Sequence, residues 1–457
     1  MKQIIRRIFI TFTALAAAIL SLQPAKVSAA ERLQHTKTET TVIVIDPGHG
    51  GENEGTIAGT EKEKYMTMTT ARAMYEELSL YDNVEVYLTH TEDVDMKLEE
   101  RAEFAKNVNA DFLFSIHYNA SEYHELFGSE IWVPLNAPFN NYGYQFGYEF
   151  LSILKERGLF LRGIKTRVGD KGLDYYGIIR FANARDIPAV ILEHCHVDEE
   201  RDTGFCDSED DLIQFGKDDA TAVAKYFGLK SSILNVDYSD YQLQEVSGTQ
   251  PVSSTLRDDT APDVCQVVLV NADYSTGQLS VQVSAADYDS PLIYYDYSFD
   301  GGLTFSPRNA WPDSDALSGT YADTFTLNLS VPSGVKPTVI VRAYNLFDLF
   351  TASNAVEVSE AFHYGQDEET DEAESTEPVS VPGSVEADTS DTAEPASAPA
   401  ADNASPVSFA TFLIICFIAV GLFFVLLGFS QLLAYRRRKR RRAQRRKDEG
   451  QRRNHNR

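Results

Sequence analysis

The sequence predicts an α/β domain with a mostly parallel sheet flanked by helices. An all-β immunoglobulin-like sandwich, a disordered acidic linker and one transmembrane helix follow it. Three observations carry this expectation. Short β-branched or apolar runs alternate with helical stretches over residues 41–228, which is the pattern of a parallel sheet with crossover helices. Regular apolar/polar alternation without helices fills residues 258–358. A run of 21 uncharged residues, Phe409 to Phe429, is long enough to span a bilayer as a helix.

Each element follows in order. Residues 1–30 carry Lys2, Arg6 and Arg7, then an apolar stretch from Ile8 to Leu22, then the small residues of VSAA (Val27 to Ala30), and so read as a secretory signal peptide. Residues 41–228 are expected to form the α/β domain. Its strands are TVIVI (Thr41 to Ile45), VEVYL (Val84 to Leu88), DFLFSI (Asp111 to Ile116) and AVIL (Ala189 to Leu192). Helices are expected at Glu63 to Leu80 and Leu98 to Asn107, with a closing amphipathic helix over 211–228 and Gly228 near its C-cap. Residues 229–257 are polar and Ser-rich and read as a linker with little structure.

In 258–358 the expected strands are LSVQVSA (Leu279 to Ala285), IYYDYSF (Ile293 to Phe299), TFTLNLS (Thr324 to Ser330) and TVIVRAY (Thr338 to Tyr344). A hairpin signal lies at Asp300-Gly301-Gly302. The role expected for this unit is a spacer or binding module. Residues 359–407, rich in Glu, Asp, Ser, Pro, Thr and Ala, cannot bury enough apolar surface to offset their ordering entropy and should form a disordered tether. Residues 408–434 hold the transmembrane helix, and 435–457 a basic tail that the positive-inside rule assigns to the cytoplasm.

Charge supports this organisation. The net charge is −27, yet residues 436–457 carry 13 Lys or Arg against 2 Asp or Glu, and residues 1–30 carry four basic residues and no acid. The acidic middle argues against a nucleic-acid partner, and the basic end reads as the flank of an anchor touching anionic lipid. Four cysteines are too few for a disulfide framework: Cys416 lies in the apolar run, Cys265 stands apart, and only Cys195 and Cys206 are close enough in sequence to pair.

Three of the apolar runs end in chemistry. TVIVI runs into DPGHGG with His49, DFLFSI into HYNA with His117, and AVIL into EHCH with Glu193. Ligands bind beyond the carboxyl ends of parallel strands, so two imidazoles and a carboxylate converge on one sheet edge. A catalytic zinc takes three protein ligands and keeps one position open. His49 and His117 supply two. The third is expected from Glu63, with Glu61 in reserve, because both open the helix after the first strand and a carboxylate suits its positive end. Glu193 is then expected as the catalytic base, moving a proton from water to a departing amine, with a further metal ligand as its alternative role. His194 and His196 stand on the strand beside Glu193 and are expected outside the ligand set.

DPGHGG, EK opening a helix, LEER (Leu98 to Arg101), SIH-x-NA and IPAVILE, in this order and spacing, resemble the zinc-dependent N-acetylmuramoyl-L-alanine amidases of bacterial cell walls. The resemblance covers roughly residues 41–228. It implies Zn2+ held by His49, Glu63 and His117, Glu193 as catalytic base, and peptidoglycan as substrate, cleaved between muramic acid and the L-alanine of the stem peptide. In that family the metal-binding Glu precedes the glutamate of a helical EEL-like segment by thirteen residues, which Glu63 meets with Glu76.

There are departures. His90 stands where an arginine is usual after VxLT, Tyr118 replaces a small residue after SIH, and HCHVDEE follows Glu193. Tyr118, Tyr175 and Tyr176 are candidates to line a glycan groove or to serve as core or loop aromatics. The alternatives to an active amidase are a wall-binding or regulatory protein of the same fold, and a zinc peptidase acting on the stem peptide. The chain has no HExxH helix for the latter. The expected partners are peptidoglycan and, through the C-terminal helix, the cell membrane, with the catalytic and sandwich domains extracytoplasmic.

Overall fold

The computed structural model describes residues 40–58 and 61–365. The expected signal peptide, transmembrane helix and basic tail lie outside the described residues, as does the acidic linker beyond residue 365. Among the described residues no helix is long and apolar enough to cross a membrane.

The α/β part is built on six strands: β1 (Thr41–Pro47), β2 (Val84–Leu88), β3 (Phe112–Asn119), β4 (Ser129–Trp132), β5 (Leu161–Lys165) and β6 (Ala189–His196). Their order across the sheet is β2-β1-β3-β6-β4-β5. All neighbours are parallel except β6 and β4, which run antiparallel. The longer helices are α1 (Glu63–Leu78), α2 (Leu98–Asn107), α3 (Phe139–Glu156), α4 (Gly177–Asn183) and α5 (Glu209–Phe227).

In α1, Met66, Thr70, Ala71, Met74 and Leu78 recur at helical spacing and are buried, so one stripe of the helix faces the sheet. Helix α5 begins at Ser208, whose hydroxyl accepts from the Asp211 amide at 3.2 Å, and ends at Gly228 in the left-handed conformation (φ 66°). One core, which includes Ile43, Ile45, Phe112, Phe114, Phe146 and Phe215, fills the space between the sheet and α1, α3 and α5. A smaller cluster around Val44, Ala102, Leu113, Ile179 and Ile191 packs α2 and α4 on the other face.

Residues 229–257, expected as a linker with little structure, instead form a strap across α3. The reason lies in the polar residues of that helix. Asn140 accepts from the Val252 amide at 2.7 Å and donates to the Thr255 hydroxyl at 2.9 Å. Gln145 donates to the Gln244 carbonyl at 3.0 Å, and the Tyr241 hydroxyl donates to Glu149 at 2.6 Å. Backbone groups that would otherwise stay with water find partners on the helix.

The following residues form two antiparallel sheets. One contains β7 (Val264–Asp273), β8 (Gln278–Ala286) and β10 (Thr324–Ser330). The other contains β9 (Leu292–Ser298), β11 (Thr338–Asn345) and β12 (Phe350–Ala352). A single core with Val281, Leu292, Trp311 and Val341 joins them. This part is not held off as a spacer, because residues through Tyr364 form one compact unit. Phe127 packs with Ile293, Tyr294, Tyr344 and Leu346, and Arg162 of β5 pairs with Asp348 at 2.8 Å.

Candidate metal centre and active site

The turn after β1 is held from beneath. Asp46, fully buried, accepts from the hydroxyls of Thr89 (2.7 Å) and Ser115 (2.8 Å) and from Arg101 (2.9 Å). Arg101, on α2, also donates to the carbonyls of Pro47 (2.6 Å), His49 (2.5 Å) and Met96 (2.9 Å). One guanidinium fork thus fixes the turn through Asp46 and the Pro47 and His49 carbonyls. His49 sits in it with φ 65°, a conformation that costs a non-glycine residue on the order of 1–2 kcal/mol and persists only where its surroundings dictate it. Gly48 precedes it because a Cβ there would overlap the His117 ring and come within 2.6 Å of the Ile116 carbonyl.

The strained histidine is aimed at a cluster. His49 Nε2 lies 3.0 Å from Glu63 Oε1, and His117 Nδ1 lies 3.1 Å from the same oxygen. One donor atom from each of the three residues falls within 4.8 Å of the others. Zinc with bonds of about 2.0–2.1 Å in tetrahedral array keeps its ligand atoms roughly 3.3 Å apart, so the donor set fits the ion in kind, and both imidazoles stand near that spacing from the Glu63 oxygen. The second ring nitrogen of His49 faces the Asn53 carboxamide oxygen at 3.0 Å, which fixes the proton on Nδ1 and leaves Nε2 for a cation.

Glu63, 3% exposed, is held by the amides of Tyr118 (3.0 Å) and Thr56 (2.9 Å). Among the described residues no Lys or Arg pairs with it. Burial opposes its charge, but hydrogen bonds from His117 and His49 outweigh burial and hold its carboxyl well below the usual range. A buried carboxylate between two imidazoles is a seat for a cation.

Glu193 pairs in register with His117 on one side and Glu130 on the other. It is half-buried, and its carboxylate makes no hydrogen bond to a described residue. Burial, reinforced by the negative charges of Glu63 and Glu130, raises its pKa well above the ordinary carboxylate value. A cleft of about 350 Å³, lined by His49, Asn53, Leu98, Arg101, His117 and Tyr176 among others, opens beside the cluster.

The structure thus brings together His49, Glu63 and His117 and sets Glu193 on the strand adjoining His117. The carboxylate of the cluster is Glu63; Glu61 lies in the short strand Glu61–Lys62 ahead of α1. His194 and His196 are buried away from the cluster, His194 against Asp219 (3.0 Å) and His196 against the Gly128 carbonyl (3.1 Å). Tyr118 belongs to the core: it is 2% exposed, bonds the Thr70 hydroxyl at 2.6 Å and stacks on His194. Tyr176 does reach the cleft. His90 packs behind the turn beside Thr89 (3.1 Å). Cys195 and Cys206 are buried and unpaired by any disulfide. The sequence reading gave no role to Asp46, Asn53 or Arg101. The first residue of DPGHGG and the last of LEER were the available signals for Asp46 and Arg101.

Comparison with known proteins identifies the family. The family model described as N-acetylmuramoyl-L-alanine amidase matches residues 43–225. The N-acetylmuramoyl-L-alanine amidase CwlM of Bacillus licheniformis is 30% identical over 191 residues, which are 42% of this chain and 70% of that protein. The sporulation-specific N-acetylmuramoyl-L-alanine amidase of Bacillus subtilis is 37% identical over 101 residues, 22% of this chain and 39% of that protein. Among solved structures, the catalytic domain of CwlV, an N-acetylmuramoyl-L-alanine amidase from Bacillus (Paenibacillus) polymyxa var. colistinus, aligns at 26% identity. It covers 42% of this chain and 100% of that one, with a TM-score of 0.37.

Proposed function

The chain belongs to the N-acetylmuramoyl-L-alanine amidase family, and from that premise we propose that it is a zinc-dependent peptidoglycan hydrolase anchored at the outer face of the cell membrane. It cleaves the amide between the lactyl group of muramic acid and the L-alanine of the stem peptide. The observation that carries this reading is the His49–Glu63–His117 cluster, three donors of the right kind around one point, with an unbonded carboxyl one strand away.

In this reading His49 Nε2, a Glu63 carboxylate oxygen and His117 Nδ1 hold Zn2+. The ion supplies Lewis acidity, which lowers the pKa of water and polarises a carbonyl oxygen. Arg101 and Asp46 keep the turn, and so His49, in place. Glu193 takes a proton from the attacking water on a carboxylate oxygen and delivers it to the departing L-alanine nitrogen. A C–O bond forms as the C–N bond breaks, leaving a lactyl carboxylate and a free amine. The raised pKa of Glu193 suits a group that must hold a proton between these two transfers. The leader-like start, acidic tether, apolar run and basic tail support export and a single-pass anchor, with both folded parts extracytoplasmic and the tail cytoplasmic.

Mass spectrometry of purified wall, digested with and without a chelator, tests the reaction. The expected products are stem peptides with new L-alanine amino termini, absent when chelator is present. New termini elsewhere in the peptide mean a peptidase, and zinc binding with no product means a non-catalytic wall-binding protein.

A further inference from the structure

The sheet face that carries His117 and Glu193 continues across β4 to β5. Paired residues of neighbouring strands project to the same side, and side chains alternate along each strand. Glu130 pairs with Glu193, Trp132 with Ile191 two residues back, and Lys165 with Trp132. Glu130, Trp132 and Lys165 therefore share the face of the candidate catalytic residues. At the far end of that face lies a second pocket of about 130 Å³, walled by Trp132 and Phe347 and lined by four cations, Arg162, Lys165, Arg167 and Arg257. Its one acidic lining residue is Asp348. Carboxylates outside the lining pair with three of the four, Glu130 with Arg162 and Lys165 and Asp259 with Arg257, which leaves Arg167 without one among the described residues.

The cations are not all spent on the protein. Lys165 is 2% exposed, and its ammonium donates to Glu130 Oε2 at 2.8 Å, an oxygen it shares with Arg162 at 2.9 Å. Arg162 divides its other donors between Tyr294 and Asp348. An ammonium has three donors, and Lys165 bonds only Glu130 among the described residues. Arg167 lies over the Tyr175 ring at 3.7 Å, hydrogen-bonds Tyr176 and has no carboxylate partner among the described residues. A buried cation with unused donors is costly unless an anion completes its shell. Burial and the neighbouring Arg162 lower the Lys165 pKa, which is the mark of that deficit.

The two cavities are neighbours. The ring of Trp132 lies 5.0 Å from that of Tyr176, which lines the metal-side cleft. From β3 to β5 is three strand spacings, and Lys165 stands two residues back from the level of His117. Backbone spacing puts the two about 16 Å apart, the reach of an extended peptide of about four or five residues.

Resting on the amidase reading, we propose that this pocket is a substrate subsite. It binds a carboxylate of the acidic stem peptide on the departing side of the scissile amide, with Lys165 and Arg167 as the recognising cations. N-acetylated sugars are neutral, so an anion presented on this substrate belongs to its peptide. The pocket is assembled from the sheet, from Arg257 of the strap and from Phe347 and Asp348 of the β-sandwich, so the docked sandwich takes part in substrate selection.

The test uses the full-length protein and the fluorescence of Trp132. The chain's other tryptophan, Trp311, is 1% exposed in the sandwich core. The probes are a synthetic sugar-free stem peptide with free carboxylates, the same peptide fully amidated, and a glycerol-phosphate oligomer. The free-acid peptide should shift the emission and bind at least about tenfold more tightly than the amidated form. Arg167→Gln and Lys165→Gln should abolish that difference; Arg167 is partly exposed, so its variant serves if Lys165→Gln does not fold. Equal binding of both peptides, indifference to Arg167→Gln, or preference for the phosphate oligomer overturns the proposal.

On muramyl-peptide substrates Arg167→Gln should raise KM for the free-acid form about tenfold with kcat nearly unchanged, and leave the amidated form unaffected. If the wild type binds the acidic peptide but cleaves no muramyl amide, the amidase reading fails and the subsite stands. If it cleaves both forms with equal KM, the subsite fails and the amidase reading stands.

Discussion

Arg101→Ala should damage stability and metal affinity through separable causes. Arg101 is 3% exposed and pairs with Asp46, which is 1% exposed. Removing one partner of a buried pair leaves an uncompensated charge and costs about 3–5 kcal/mol. The same substitution deletes the bonds to the Pro47 and His49 carbonyls that hold His49 in its left-handed conformation. Groups that orient a metal ligand are worth about 10–100-fold in affinity. Urea unfolding of the metal-free protein measures the first effect, and chelator competition for zinc the second. In Arg101→Ala/Asp46→Asn no buried charge is left unpaired, so stability should largely recover while zinc affinity stays low. A single variant within about 1 kcal/mol of wild type, the range of an ordinary surface change, would refute the clamp. Recovery of zinc affinity in the double variant would show that the charge, not the turn, sets the site.

Gly48→Ala should fold but lose zinc, because the Ile116 carbonyl cannot yield and the His117 ring must move; metal analysis of the purified variant checks this. Metal-free stability should be greatest at mildly acidic pH. In the metal-free protein burial opposes the charge on His49, but its bond to Glu63 raises its pKa above 6.5, so its contribution is complete below about 6.5 and is lost as pH rises through the raised value. The lowered pKa of Glu63 contributes stability above about 4.5 that is lost as pH falls through the lowered value. Zinc needs unprotonated imidazoles, so urea midpoints measured with zinc should peak at higher pH than those with chelator; coincident optima would contradict the site. Deleting residues 404–457 should move the protein from the membrane to the soluble fraction with wall hydrolysis intact, as fractionation and assay would show.

Much of the site was legible because it sits where apolar runs stop. β1, β3 and β6 announce themselves by their buried β-branched and aromatic residues, and His49, His117 and Glu193 are the first chemistry beyond or within their ends. The other half of the sheet was not legible. β4 reads SEIW and β5 reads LRGIK, and both bury charge: Glu130 of one pairs with Arg162 and Lys165 of the other. An apolar pattern cannot reveal a strand when one of its two buried faces is an ion cluster. Helix α3 was hidden for a related reason. Asn140, Asn141, Gln145 and Glu149 look like surface residues, yet all four hold a strap about a hundred positions away in sequence. The same pairing turns the expected linker into structure. The clamp on His49 was missed because Arg101 lies 52 positions from the carbonyl it holds.

The most direct measurement is zinc content together with muramyl-amide cleavage in Glu193→Ala. With His49, Glu63 and His117 as ligands and Glu193 as the proton carrier, the variant should hold one zinc per chain and release no peptide. Loss of the zinc would make Glu193 a ligand, and continued cleavage would take the proton transfer away from it.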